Sequence, residues 1–241
     1  LTPSRIGALA AIGATDVEVY ARPRVAIVST GNEIVQPGTP LAPGQIYDIN
    51  RFTLSSIVEM HGGTPVALPS PADTIEALSN ALDAALECDL VVFSGGSSVG
   101  ERDLMIDVLQ QRGEILFHGI AVKPGKPTLL ARVQGRAVLG MPGYPTSCLS
   151  NGYVLLVPML RRIARLPEHR PEVRRLPLAK RVVSAAGRHQ FYSVRIVDGT
   201  AVPAFKASGD ITSMAHADGY IEIPANVDLV EAGEVVDVTI F

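Results

Sequence analysis

The stretch "DLVVFSGG", residues 89–96, is a continuous apolar run that ends in two glycines. A run of this kind predicts a strand buried on both faces, with a tight turn at its carboxyl end. Two further stretches, "RVAIVST" (24–30) and "TPVALPS" (64–70), have the same β-branched, apolar character. Strands covered on both faces are typical of parallel sheets, so these three segments predict a parallel sheet.

Helical stretches separate the predicted strands. "NRFTLSSIVEMHG" (50–62) and "DTIEALSNALDAALE" (73–87) have apolar residues at helical spacing, and Asp73 is placed to cap the second helix. A helix over residues 103–113 and a strand over "EILFHGIAV" (114–122) continue the alternation. The pattern predicts an α/β fold with a doubly wound, mostly parallel sheet.

The texture of the sequence changes after the Pro- and Arg-rich stretch 161–177. Short alternating strands and turn residues follow, including the hairpin signal Asp198-Gly199. We therefore predict three parts: residues 1–20 as the remnant of an N-terminal linker region, 21–168 as the α/β domain, and 169–241 as a small all-β C-terminal domain.

The composition narrows the classes of function. The 241 residues carry a net charge of −3, contain no Trp and have no long apolar run. Nucleic acid and membrane are therefore not expected as partners. Cys88 and Cys148 form no metal-binding or disulfide pattern, which predicts reduced, buried thiols and a cytoplasmic protein.

Four unusual loops follow the predicted strands: "STGNE" (29–33), "SGGSSVGERD" (94–103), "KPGKP" (123–127) and "GMPGYPTS" (140–147). Ligands of doubly wound sheets bind beyond the carboxyl ends of the strands, where these loops lie. Gly- and Ser-rich loops at helix N-termini favour phosphate, and two lysines on a Pro-stiffened turn suit a tetrahedral dianion.

Acidic residues near the strand ends, Glu33, Asp48, Asp73 and Asp103, would provide oxygen ligands for Mg²⁺ beside a phosphate. Each feature alone has a simpler interpretation. The glycine-rich loop is compatible with a tight turn and KPGKP with a hairpin, while Asp73 would serve as a helix cap and Asp48 as an Asx-turn residue. The convergence of four loops at one edge favours the ligand site.

The ordered motifs "TGNEIVQPG", "GQIYDIN", "SGGSSVGERD", "KPGKP" and "MPGYPTS" resemble those of the molybdopterin molybdenumtransferases of MoeA type, relatives of the gephyrin E domain. The C-terminal stretches "GRHQFYSVRI" and "SGDITSMAHADGYIEIP" resemble the same family, so the resemblance covers essentially the whole chain. It implies a MogA-like molybdopterin-binding domain followed by the small β domain.

The resemblance also implies a reaction. Such an enzyme takes adenylylated molybdopterin and molybdate as substrates, releases AMP with the help of Mg²⁺ or another divalent metal, and inserts molybdenum. Glu33, Asp73 and Asp103 match the family's positions for metal binding and catalysis. The matched substrate-binding positions are Thr30, Gly31, Asp48, Asn50, Gly95, Gly96, Ser97, Ser98, Gly100, Lys123, Pro124, Gly125, Lys126, Pro127, Pro142, Gly143, Pro145, Ser147 and Ser208. Among them Lys123, Lys126, Pro127 and Ser147 correspond to the oxyanion site.

Three features depart from the family pattern. Tyr144 stands where Asn is usual, and Ser193 stands where an Arg is usual, with Arg195 two residues later. The two N-terminal domains of the family do not precede residue 20, which suggests either an excised fragment or a natural short form. The resemblance further implies a homodimer and makes molybdopterin adenylyltransferase a candidate partner.

Two other functions compete with the enzyme. A non-catalytic module that binds pterin or serves as a dimer scaffold is favoured by Tyr144 and Ser193 but disfavoured by the intact acidic and basic positions. The adenylyltransferase step is disfavoured because the smaller proteins that catalyse it lack the C-terminal β domain.

Overall fold

A computed structural model describes residues 1–95, 104–184 and 187–241. In these ranges the strands are β1 (Arg24–Ser29), β2 (Ile34–Val35), β3 (Ile46–Tyr47), β4 (Thr64–Ala67), β5 (Leu90–Ser94), β6 (Glu114–His118), β7 (Val122–Lys123), β8 (Leu129–Val133), β9 (Arg136–Met141), β10 (Val173–Pro177), β11 (Val182–Val183), β12 (His189–Val197), β13 (Thr200–Pro203), β14 (Gly219–Ile223), β15 (Leu229–Val230) and β16 (Val235–Ile240).

The helices are α1 (Pro3–Ala11), α2 (Asn50–Met60), α3 (Ile75–Ala85), α4 (Leu104–Arg112), α5 (Pro145–Asn151), α6 (Val157–Ile163) and α7 (Thr212–Ala215) in the same described ranges. A π-helical segment, Gly152–Leu156, joins α5 to α6. None of the helices in the described ranges has both the length and the apolar character that a membrane crossing requires.

The larger sheet has the strand order β4-β1-β5-β9-β8-β6. Strands β4, β1, β5 and β9 are parallel, whereas β8 runs antiparallel to both β9 and β6. The prediction of a mostly parallel sheet is therefore confirmed.

Strand β5 shows why this sheet must be covered on both faces. Its residues alternate between two hydrophobic clusters, with Val91 and Phe93 in one and Leu90 and Val92 in the other. Helices α3 and α4 contribute to the first cluster, while α2 and α6 contribute to the second. Burial of each large apolar side chain contributes about 1.5–3 kcal/mol, so both helical layers are needed. The doubly wound arrangement is confirmed.

The smaller sheet has the order β10-β16-β14-β12-β13, and these strands are antiparallel neighbours. Its core contains Val194, Ile221 and Val238. The hairpin between β12 and β13 turns at Asp198 and Gly199, with φ of 50° and 72°. Positive φ at both central residues is what a tight two-residue hairpin requires, so the hairpin prediction is confirmed.

The predicted strand 114–122 is wrong as a single element. Strand β6 ends at His118, and Gly119 then adopts a φ of 84°, which breaks the extended conformation. The chain resumes as β7, which pairs in parallel with β12 of the smaller sheet. The lysine-bearing segment is therefore attached to the C-terminal sheet as well as to the larger one.

Two imidazole rings are in contact at the C-terminal end of α2, which is the end opposite to the candidate ligand edge of the sheet. The rings of His61 and His169 are 4.9 Å apart in an edge-to-face arrangement. Burial lowers the pKa of His61 below its ordinary 6.5, and the nearby charges of His169 and Arg161 lower it further. The unfolded chain consequently binds a proton at this residue more readily than the folded chain.

We expect the free energy of unfolding to fall as the pH falls through about 6.5, and we expect His61→Phe to make this fall shallower. The physical reason is that the lowered pKa of His61 favours the unfolded state in acid. Urea denaturation at pH 7.5 and 5.5 measures how steeply the free energy of unfolding changes with pH in the wild type and in His61→Phe. His216→Gln, at an exposed position, is the matched control and should keep the wild-type slope. An unchanged slope in His61→Phe would contradict this account.

Candidate active site

Three of the predicted loops meet at the carboxyl edge of the larger sheet. The N–H of Thr30 donates to the carbonyl of Ser94 at 2.9 Å, and the N–H of Gly95 donates to the carbonyl of Met141 at 3.2 Å. Asn50 Nδ2 donates to the carbonyl of Gly143 at 2.8 Å, which adds the start of α2 to the same edge. Three of the four predicted loops therefore begin next to one another at this edge.

Gly95 allows two of these loops to approach each other closely. Its φ is 99°, and a Cβ at this position would lie 2.3 Å from the carbonyl oxygen of Thr30. Only glycine fits such a close approach without a backbone shift. The predicted residues that follow, Gly96, Ser97, Ser98, Gly100 and Asp103, lie outside the described residues.

Asp48 is the buried carboxylate of this edge, with only 3% of its surface exposed. Its Oδ1 accepts from Ser29 Oγ at 2.9 Å and from the N–H of Arg51 at 3.0 Å, and Ser94 Oγ donates to Ser29 Oγ at 3.3 Å. Oδ2 of Asp48 and Oδ1 of Asn50 have no hydrogen-bond partner among the described residues. Asp48 thus ties the start of α2 to two strand ends.

Cys148 lies in α5 close to this carboxylate and is buried. Burial raises the pKa of the Cys148 thiol, and the negative charge of Asp48 raises it further. A thiol held in its protonated form is a poor nucleophile, so covalent catalysis through Cys148 is disfavoured.

The acidic positions Glu33 and Asp73 lie on neighbouring loops and are both exposed. Asn32 Oδ1 accepts from the N–H of Asp73 at 3.3 Å, which joins the two loops. Gly31 has a φ of 133°, and the carboxylate of Glu33 folds back to 2.7 Å from where its Cβ would be. No cluster of three or more potential metal ligands occurs in the described ranges, and Asp103 lies outside them.

The predicted capping role of Asp73 is wrong. Helix α3 begins one residue later than expected, and its N-cap is Thr74, whose side-chain oxygen accepts from the N–H of Ala77 at 3.2 Å. The reason is the backbone: Thr74 has the extended φ and ψ of an N-cap residue. Asp73 is consequently free of that structural role.

The lysine-bearing segment 123–127 lies in the long connection between β6 and β8. Lys123 is half-buried in β7, Lys126 is exposed, Pro124 and Gly125 are buried, and Pro127 is half-buried. This segment is not a simple hairpin, because β7 and β8 belong to different sheets. The carbonyl of Lys126 accepts from the N–H groups of Ile120 and Thr128, which closes the turn.

Helix α5 begins at the carboxyl edge of the larger sheet and contacts the loop around Ser208 in the C-terminal part of the chain. Pro142 is buried, Pro145 is half-buried at the first helical position, and Ser147 is buried in the first turn. Thr146 donates to the carbonyl of Ser208 through its N–H at 3.1 Å and through Oγ1 at 2.7 Å. Ser208 is therefore placed next to this helix N-terminus.

Sequence reasoning missed Thr146, Thr128 and Asn151. The last two form hydrogen bonds beneath the lysine-bearing segment. The signal that could have identified Asn151 is its spacing of four residues from Ser147, which puts both on one face of a helix.

The residues that depart from the family pattern occupy different environments. Tyr144 is 68% exposed at the start of α5. Ser193 is buried in β12, and its Oγ has no hydrogen-bond partner within the described ranges. Arg195 is exposed, so its guanidinium does not occupy a buried position equivalent to that of Ser193.

Comparison with known proteins places the whole arrangement in a family. Residues 26–162 match the probable molybdopterin binding domain, and residues 175–241 match the MoeA C-terminal region, domain IV. The chain belongs to the family of the probable molybdopterin binding domain, here followed by the C-terminal region of MoeA.

Individual relatives agree with this assignment. The chain is 35% identical to molybdopterin molybdenumtransferase 2 of Mycobacterium tuberculosis over 97% of its own length and 60% of the relative's length. It is 32% identical to molybdopterin molybdenumtransferase of Haemophilus influenzae over 100% of its own length and 62% of the relative's. The chain thus spans about 60% of the length of these curated relatives.

Two solved structures of MoeA proteins from Pyrococcus horikoshii have the same fold. They superpose with TM-scores of 0.88 and 0.79, at 41% and 27% identity. Each comparison covers 100% of this chain and 60% or 59% of the solved chain.

Replacing Thr74 by Ala should lower the free energy of unfolding by about 1 kcal/mol, because it removes the side-chain acceptor of the α3 N-terminus. Asp73→Ala is the matched control and should change stability by less than about 0.5 kcal/mol, since the exposed carboxylate caps nothing. Urea denaturation of both variants measures the difference. The reverse order of effects would restore Asp73 as the cap.

Proposed function

We propose that this chain is the substrate-binding and catalytic core of a molybdopterin molybdenumtransferase. The reaction is insertion of molybdate into adenylylated molybdopterin with release of AMP. The observation that carries the proposal is the meeting of the loops after β1, β5 and β9 with the N-terminus of α5 at one sheet edge. Family membership and the names of the relatives support it.

Molybdate is the proposed ligand of the lysine-bearing segment. Lys123 and Lys126 supply two positive charges, and Ser147 supplies a hydroxyl donor in the first turn of α5, where backbone N–H groups also favour an anion. Ser208 lies beside the same helix terminus. Two cations offset the free-energy cost of desolvating a doubly charged oxyanion. A single cation would offset only part of this cost.

The phosphate and pterin of the organic substrate are proposed to lie along Thr30, Gly31 and Gly95. Gly95 keeps the strand ends close together, so the substrate can approach the backbone directly. Asp48 and Asn50 hold the start of α2 in place below this surface. These residues bind and orient the phosphoanhydride for attack.

Glu33 and Asp73 are the proposed ligands of Mg²⁺, with Asp103 as the third acidic position. Carboxylate oxygens are the ligands that Mg²⁺ prefers, and the Asn32–Asp73 hydrogen bond keeps the two loops adjacent. When bound, the metal ion neutralises charge on the phosphate oxygens. The carboxylates themselves would orient the water molecule that attacks the phosphoanhydride; a new P–O bond forms to the water oxygen, the bridging P–O bond breaks, and AMP leaves.

We further propose a cytoplasmic setting for this protein. Cys88 and Cys148 are free and buried, which suits a reducing cytoplasm. The family resemblance supports a homodimer and an encounter with molybdopterin adenylyltransferase, the enzyme that would supply the adenylylated substrate.

Titration with adenylylated molybdopterin in the presence of Mg²⁺ and molybdate tests the function. We expect saturable binding and stoichiometric release of AMP. Chromatography of the reaction mixture measures the released AMP. Binding without AMP release would favour the alternative of a non-catalytic pterin-binding module. Absence of binding would contradict both the enzyme and the pterin-binding module, and would favour a dimer scaffold.

Lys126→Ala should weaken molybdate binding by roughly tenfold or more, because it removes a charged donor from the oxyanion. Isothermal calorimetry with molybdate measures the Kd. Lys180→Ala, which removes an exposed lysine from the C-terminal part, is the matched control and should leave the Kd unchanged. Equal affinities for the wild type and Lys126→Ala would mean that the segment does not bind the anion.

A further inference from the structure

We propose that Asn151 is the positioning residue of the anion site: it sets the conformation of the lysine-bearing segment without touching the anion. The inference rests on the proposed function, because it assigns a role within the molybdate site. It starts from a buried side-chain amide that donates to Gly125 of that segment and to the adjacent Thr128.

The amide lies directly under the turn between the two lysines. Asn151 Nδ2 donates to the carbonyl of Gly125 at 3.1 Å and to Thr128 Oγ1 at 2.6 Å. Thr128 Oγ1 in turn donates to the carbonyl of Gly125 at 2.7 Å. Both Asn151 and Thr128 are 0% exposed, so water does not compete for these bonds.

The amide packs closely against the turn at Gly125. Gly125 has a φ of 111°, and a Cβ at this position would lie 2.4 Å from Asn151 Nδ2. The segment therefore packs against the Asn151 side chain at Gly125, where a larger residue would clash. A buried carbonyl that lost its donors would pull the turn toward another conformation.

The helix that carries Asn151 is itself fixed. Asn151 is the last residue of α5, four positions after Ser147, so both side chains lie on one face of the helix. The next residue, Gly152, begins the π-helical segment, and a Cβ on it would lie 2.7 Å from Ile57 Cδ1 of α2. Close packing against α2 thus keeps the end of α5 in place.

One rigid helix face consequently sets both halves of the proposed anion site. Ser147 would donate its hydroxyl to the anion directly, and Asn151 would set the backbone from which Lys123 and Lys126 extend. Preorganised donors bind an oxyanion more tightly than donors that must first be ordered. This arrangement assigns to Asn151 a contribution to affinity that acts entirely through the lysines.

A double-mutant cycle tests this. We expect Asn151→Leu, which removes the donors at similar volume, and Thr128→Val, which keeps the shape of threonine, each to weaken molybdate binding by about tenfold in calorimetry. Combined with Lys126→Ala, either change should have a clearly smaller effect than it has alone, because one of the two positioned lysines is already gone. Val108→Ala, in the core on the opposite face of the larger sheet, controls for loss of stability and should leave the Kd unchanged.

The possible results separate the inference from the proposed function. If wild-type protein does not bind molybdate, the anion site itself is wrong and the role of Asn151 falls with it. If the wild type binds and Lys126→Ala weakens binding, but both Asn151→Leu and Thr128→Val keep the wild-type Kd, only the positioning role is wrong. Effects that simply add to that of Lys126→Ala would also overturn it. If Asn151→Leu does not fold, Thr128→Val decides the question.

Discussion

The register of three parallel strands, β1, β5 and β9, is the constraint on which the rest depends. In this register Ser29 lies beside Ser94, and Ser94 lies beside Met141. Because both faces of these strands are covered by apolar helices, polar chemistry is confined to the edge where the strands end. Thr30 and Gly95, the first residues after β1 and β5, then contact the neighbouring strand ends, and a small closely fitted residue such as Gly95 becomes necessary there.

The second constraint is the attachment of this edge to the smaller sheet. Strand β7 pairs with β12, and Thr146 donates twice to the carbonyl of Ser208. The proposed molybdate site therefore combines two elements. One is the lysine-bearing segment, which is attached to both sheets, and the other is helix α5, which follows strand β9 of the larger sheet. Movement between the sheets would alter the distance between its lysines and Ser147, so the C-terminal part of the chain has a direct structural role in the site.

Much of this fold could be predicted from the sequence, because strands such as 90–94 and 24–29 are uninterrupted apolar runs and Asp198-Gly199 can form a two-residue hairpin. Other features depend on tertiary contacts. Whether Asp73 or Thr74 caps α3 is decided by a backbone conformation that both residue types tolerate. The break after His118 and the pairing of β7 with a strand about seventy residues later leave no local pattern, and Asn151 acquires its role only when α5 packs under the lysine-bearing segment.

The edge between the lysine-bearing segment and α5 is proposed to bind a tetrahedral oxyanion. Tungstate, which has the shape and charge of molybdate and strong anomalous scattering, tests it most directly in crystals of this chain soaked with the anion. We predict a single strong anomalous peak in contact with Lys123, Lys126 and Ser147. A peak elsewhere, or none at this position at saturating tungstate, would contradict the account.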